Sequence, residues 1–146
     1  MTDEVSALVS QLREGGPSTK NDELTGRVIA CALAVHSSLG PGYKESVYER
    51  AMLIELAHNG LTAETQHCFD VLYRGKAVGQ GRVDLLVEKR LIVELKSCDT
   101  LIPLHTAQAI SYLVALDLPV ALLINFNTSQ LKRGLKRVTA PHLYRP

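Results

Sequence analysis

Val83-Asp84-Leu85-Leu86-Val87-Glu88-Lys89-Arg90-Leu91-Ile92-Val93-Glu94-Leu95-Lys96 sets two apolar runs on either side of a short charged turn. The second run carries Glu-x-Lys among residues that favour burial. Residues two apart on a strand point to the same side, so Glu94 and Lys96 share a face. Charged side chains rarely sit in a core unless paired or bound to a metal. The hairpin offers such a partner. With Glu88-Lys89-Arg90 as a three-residue loop, Val87 pairs with Leu91 and Asp84 lies opposite Glu94. Opposed residues have Cβ atoms about 4.5–5.5 Å apart. Two carboxylates so close raise each other's pKa unless a cation lies between them. Mg²⁺ suits such a site, because it accepts one or two carboxylates, keeps waters and binds phosphate oxygens. Lys96 beside the ion could hold the attacking water or neutralise charge building on a phosphate. A two-residue loop would instead put Asp84 opposite Leu95, on the other face. The competing reading is a solvated hairpin edge with a Glu-Lys surface pair.

At 146 residues the chain makes one domain, a size that buries roughly 68–70% of its unfolded surface. Apolar residues at 46% and charged residues at 21% give the balance of a soluble globular protein. A net charge of +1 excludes a global basic field, so nucleic-acid binding has to rest on local patches. Lys132, Arg133, Lys136, Arg137 and Arg145 form one such cluster, or a solvated tail. Cys31, Cys68 and Cys98 are odd in number and contain no CxxC pair, which argues against a zinc site or a disulfide framework. Met1-Thr2-Asp3-Glu4 opens no signal peptide, and no apolar run reaches membrane-spanning length. The expected location is the cytoplasm, with no membrane partner.

Along the chain, Val5, Leu8, Val9 and Leu12 predict a short amphipathic helix over Asp3–Glu14. Gly15 to Lys20 reads as a flexible joint, so residues 1–20 are a helical appendage, packed on the domain or on a second copy. The domain proper, 21–146, opens with a helix carrying Leu24, Val28, Cys31, Ala32, Val35 and Leu39. A second helix runs from about Tyr43 to Asn59-Gly60, with Val47, Met52, Leu53 and Leu56 apolar; Glu45, Tyr48 and Glu49 share one face. An acidic residue in a first turn, such as Glu45, is also favoured electrostatically. Thr62–Gln66 and Cys68–Tyr73 read as strand, Arg74-Gly75-Lys76 as a turn, and Gly79-Gln80-Gly81 as a loop or bulge. A helix beginning at Pro103 and a buried strand over Val120–Phe126 follow. Leu131–Val138 closes the chain as an element of unassigned type. Helices and three antiparallel strands, then a helix and a buried strand, predict an α/β fold: a mixed sheet flanked by helices.

That order, with Asp84 and Glu94-Leu95-Lys96 on adjacent central strands, resembles the restriction-endonuclease-like fold of the PD-(D/E)xK nucleases, Val83 standing where the leading Pro is usual. Gly42-Tyr43-Lys44-Glu45-Ser46-Val47-Tyr48 is similar to the signature of the small bacterial GxxExxY proteins within it. Val35–Gly42, Gln108–Leu113, Leu122–Asn127 and Gly134–Val138 extend the likeness from Leu24 to about Val138. The resemblance implies that Asp84, Glu94 and the Leu95 carbonyl bind Mg²⁺ or Mn²⁺, with Lys96 activating water. It implies that Glu45 approaches the metal directly or through water, and that Gln108 and Tyr112 line the site and contact DNA. Tyr48 and His36 are expected near the substrate; His36 and His105 suit a structural or substrate-edge role better than a catalytic one. By spacing alone, Gln108 and Tyr112 equally suit a helical hydrogen bond.

The expected function is a Mg²⁺-dependent nuclease hydrolysing DNA phosphodiester bonds, possible as a homodimer where both strands of a duplex are cut. The alternative is a catalytically silent module of the same fold that binds nucleic acid or a protein partner.

Overall fold

The computed structural model describes residues 3–12 and 21–140. Its elements are α1 (Asp3–Leu12), α2 (Asn21–Leu39), α3 (Glu45–His58), β1 (Ala63–Tyr73), β2 (Lys76–Val87), β3 (Leu91–Lys96), α4 (Pro103–Leu116), β4 (Val120–Asn125), a 3₁₀ turn (Leu131–Gly134) and β5 (Leu135–Thr139). The five strands lie in the order β1-β2-β3-β4-β5. β3 and β4 are parallel, and the other neighbours are antiparallel. A parallel pair needs a crossover, which α4 supplies.

Alternation along the central strands feeds two cores. Leu85, Val87, Leu91, Val93 and Leu95 join α1, α2 and α3 on one face. Leu86, Ile92, Ala121 and Leu123 meet Ala109 and Leu113 of α4 on the other. β4 is buried at every residue, as a strand covered on both faces must be. Each large apolar side chain so buried stabilises the fold by about 1.5–3 kcal/mol. α1 packs on the domain, with Val5, Leu8 and Val9 inside the first core. The expected joint at Gly15–Lys20, and Arg145 of the basic cluster, lie outside the described residues.

The β2–β3 hairpin has the three-residue loop: Val87 pairs with Leu91, Leu86 with Ile92 and Leu85 with Val93. Glu88 and Lys89 take φ values of 52° and 57° to close it. Two expectations shift. α3 starts at Glu45 rather than Tyr43, since Lys44 is extended at the N-cap. Gly79–Gly81, expected as a loop or bulge, is paired strand, with a register shift beside Gly79 where Val71 pairs with Gly79 and Leu72 with Ala77. At Gly81 a Cβ would stand 2.1 Å from Phe69 Cζ, so the absent side chain is what lets the Phe69 ring lie against β2.

Candidate active site at the fork between β2 and β3

Beyond Leu85 and Val93 the two strands stop pairing, β2 continuing along β1 and β3 along β4. Asp84 and Glu94 are the first residues of this fork. Their side chains take over the ladder: the Asp84 N–H donates to Glu94 Oε1 at 3.3 Å, and the Leu95 N–H donates to Asp84 Oδ2 at 2.8 Å. The Lys96 carbonyl faces β4, accepting from the Phe126 N–H at 3.0 Å. Successive residues of a strand face opposite neighbours, so the Leu95 N–H and C=O both face the fork. Three oxygen-bearing groups therefore converge there.

Glu94 is 4% exposed. Burial first, then the Asp84 charge and a hydrogen bond between the two side chains, push its pKa up to about 9; the hydrogen bond from the Asp84 N–H and then the Lys96 charge oppose the rise. At neutral pH the pair therefore holds a proton between its carboxylates. A divalent cation could take that proton's place, and an all-oxygen donor set suits Mg²⁺ or Mn²⁺. Lys96 is half-buried at the open end of β3. Among the described residues no three His, Cys, Asp or Glu side chains gather as a metal cage, so Glu45 does not join the two carboxylates.

The strand end carrying Lys96 is held by a residue to which sequence reasoning gave no role. Asn125, register partner of Lys96, is 1% exposed. Its Oδ1 accepts the Cys98 and Asn127 N–H groups at 3.1 and 3.2 Å, and its Nδ2 donates to the Cys98 carbonyl at 2.9 Å. A lone amide inside the apolar run Val120–Phe126 was the available signal, because a buried polar group needs partners. A second clamp comes from the Gly40–Lys44 loop. Ser97 Oγ donates to the Tyr43 carbonyl at 2.6 Å, and Tyr48 Oη donates to the Gly40 carbonyl at 2.6 Å while accepting from the Tyr43 N–H at 3.2 Å.

Tyr48, expected near substrate, is instead fully buried, its ring stacked on Phe126 at 4.4 Å. Its hydroxyl is taken up by the Gly40–Lys44 loop. His36 lies 2.8 Å from the Thr128 carbonyl through Nε2 and ties α2 to the loop after β4. His105 accepts the Ile102 N–H at 3.1 Å and caps α4. Glu45 is exposed in the first turn of α3. One turn on, Glu49 accepts from Gln66 Nε2 at 2.9 Å, on β1 alongside Asp84. On α4, Gln108 is exposed, whereas half-buried Tyr112 lines a groove with Arg82 and packs edge-on against Phe69. Its pKa is raised by burial, then by Glu94 and Asp84, with Arg82 opposing. In the basic cluster Arg137 is 3.6 Å from Asp22, leaving Lys132, Arg133 and Lys136 exposed. No helix among the described residues is long and apolar enough to cross a membrane.

A mixed five-stranded sheet with helices on both faces and a carboxylate pair at a strand fork is the restriction-endonuclease-like architecture. The family model of the PD-(D/E)XK nuclease superfamily matches residues 22–138, and the chain belongs to that superfamily. Among solved structures, that of SSO0001 is similar with a TM-score of 0.52 and 16% identity, covering 97% of this chain and 78% of that one. A phage-related exonuclease from Haemophilus somnus 129PT is more distant, with a TM-score of 0.37, 13% identity, and 96% and 85% covered. No curated protein matches the sequence.

Proposed function

We propose that the protein is a Mg²⁺-dependent nuclease, with Mn²⁺ able to replace Mg²⁺, that hydrolyses phosphodiester bonds of DNA. The observation that carries this reading is the opposition of Asp84 and Glu94 at the fork, with Lys96 two residues along the same strand. A buried carboxylate pair is costly to keep without a cation, and superfamily members generally use divalent metal ions. Asp84, Glu94 and the Leu95 carbonyl hold the ion. When bound, it supplies Lewis-acid stabilisation of charge on the phosphate and lowers the pKa of its water. Lys96 orients the attacking water and offsets the negative charge that develops on the phosphoryl oxygens. Tyr112, which lines the groove leading to the fork, contacts the DNA backbone, and Gln108 extends that contact one turn along α4. Glu45 serves as an outer carboxylate that accepts a hydrogen bond from water at the metal.

Within the superfamily, Gly42-Tyr43-Lys44-Glu45-Ser46-Val47-Tyr48 supports membership of the GxxExxY group. The three free cysteines suit a reducing cytoplasm. One chain carries one fork, so cutting both strands of a duplex calls for a homodimer.

The test is incubation of labelled single-stranded DNA, duplex DNA and RNA with Mg²⁺ or Mn²⁺, wild type beside Lys96→Ala, both checked for folding by circular dichroism. DNA cutting that needs metal and disappears in the variant is expected. Faster cutting of RNA would replace the substrate assignment. A folded wild type that binds DNA but cuts nothing would establish the silent module instead.

A further inference from the structure

β1 and β2 run past the end of β3 as a hairpin arm. Between this arm and α4 lies a groove of about 440 Å³ lined by Cys68, Gln80, Gly81, Arg82 and Tyr112. The Tyr112 ring meets Phe69 edge-on at 5.3 Å, and Phe69 lies against β2 in the space that Gly81 leaves free. Arg82 is exposed and forms no ion pair with a described residue. Gln80 leans back on Asp70 at 3.4 Å, which keeps that acid's charge engaged on the arm. Arg82 stands two residues before Asp84 on β2, about 6.7 Å along an extended strand. Successive phosphates of a nucleic-acid strand are separated by a comparable distance. Tyr112 brings α4 to this position, because it lines the same groove as Arg82.

We propose that Arg82 and the Tyr112 hydroxyl form a phosphate subsite for the nucleotide next to the cleaved bond. One strand of nucleic acid is thereby led along the groove between the hairpin arm and α4 into the fork. This rests on the nuclease reading above and adds a binding residue to it. A guanidinium suits phosphate capture, because its fork of N–H groups matches two phosphate oxygens and its charge is permanent. The phenol hydroxyl donates to the same phosphate. The groove is bounded on both sides, by the arm and by α4, and so takes a single backbone.

The experiment is equilibrium binding of a fluorescent oligothymidylate across a salt series with Mg²⁺. It uses the Lys96→Ala background, so that the strand stays intact. A single-strand phosphate contact contributes about 0.7 to the slope of log affinity against log salt. Arg82→Ala is expected to lower the slope by that amount and to weaken binding roughly tenfold at low salt. Arg82→Lys restores the slope without the full affinity, since a point charge replaces the fork. Tyr112→Phe weakens binding and leaves the slope unchanged. Unaltered slope and affinity in Arg82→Ala would overturn the subsite while leaving the nuclease reading intact. A parent protein that binds no oligothymidylate at any salt would overturn the single-strand path and the subsite with it, while metal-dependent cleavage by the wild type tests the nuclease reading separately.

Discussion

Asp84 Oδ2 accepts the Leu95 N–H at 2.8 Å, so a side chain on β2 completes the backbone of β3 where the ladder ends. The same carboxylate thus has a structural role and a proposed metal-binding role, and two substitutions separate them. Asp84→Asn keeps an oxygen for the Leu95 N–H but loses the charge. Asp84→Ala removes both, and an unsatisfied buried N–H costs about 1–3 kcal/mol. In EDTA, Asp84→Ala is expected to unfold at lower urea than Asp84→Asn. Both are expected to lose at least about a hundredfold in cleavage. Equal urea midpoints would remove the structural role from Asp84, and full activity in Asp84→Asn would remove the other.

Glu94 makes stability depend on pH with a defined sign. Its pKa rises from an ordinary 4.5 to about 9 on folding, so between these values the folded protein binds the extra proton. Stability from this group is complete below about pH 4.5 and is lost as pH climbs through about 9. The slope inside the window is at most about 1.4 kcal/mol per pH unit. Urea melts at several pH values in EDTA should show the decline in wild type and a flatter profile in Glu94→Gln. Saturating Mg²⁺ replaces the proton and should flatten the wild-type profile too, raising stability by about 2.7 kcal/mol at a hundredfold excess over Kd. Parallel profiles for wild type and Glu94→Gln would show that the carboxylate is not held protonated.

Gly134 abuts the Asn125 backbone, and an added Cβ would stand 2.1 Å from the Asn125 carbonyl oxygen. Backbone cannot yield as a flexible side chain does. Gly134→Ala is therefore expected to cost about 1–3 kcal/mol in denaturant unfolding. Asn125→Ala strips the Cys98 and Asn127 backbone groups of their partners and should cost at least as much. Both substitutions loosen the strand end carrying Lys96. Cleavage at saturating metal is expected to fall further than metal affinity does. Variants as stable as wild type would show that the Cys98 loop finds other partners.

The fold was legible because its signals were local. Apolar runs on either side of Glu88-Lys89-Arg90 announced the hairpin, the structure choosing the three-residue loop of the two registers open to it, and the unbroken run at Val120 announced a strand covered twice. Misreadings arose where a distant residue decides. Gly81 looks like a loop residue until Phe69 is placed against it. Tyr48 sits beside Glu45 in a charged stretch, and only the return of Phe126 from β4 makes its position a core one. Asn125 had no reading at all, since its partners Cys98 and Asn127 reach it through a crossover. The carboxylate pair was visible because the two residues are joined by a single turn. Arg82 was not, since its importance depends on α4 bringing Tyr112 back across the sheet.

Tyr48 offers a direct choice between a substrate contact and a structural clamp. Its hydroxyl bonds Gly40 and Tyr43, and Tyr43 in turn receives Ser97, the residue after Lys96. Tyr48→Phe keeps the stack on Phe126 and deletes only those hydrogen bonds, leaving the half-buried Gly40 carbonyl short of a partner at a cost of about 1 kcal/mol. A clamp predicts a lower melting temperature and a severalfold lower kcat, with KM for the oligonucleotide close to wild type. A substrate contact predicts the reverse, unchanged melting and a raised KM. Because the side chain is fully buried, the first pattern is expected, and the second would mean that the Gly40–Lys44 loop opens when nucleic acid binds.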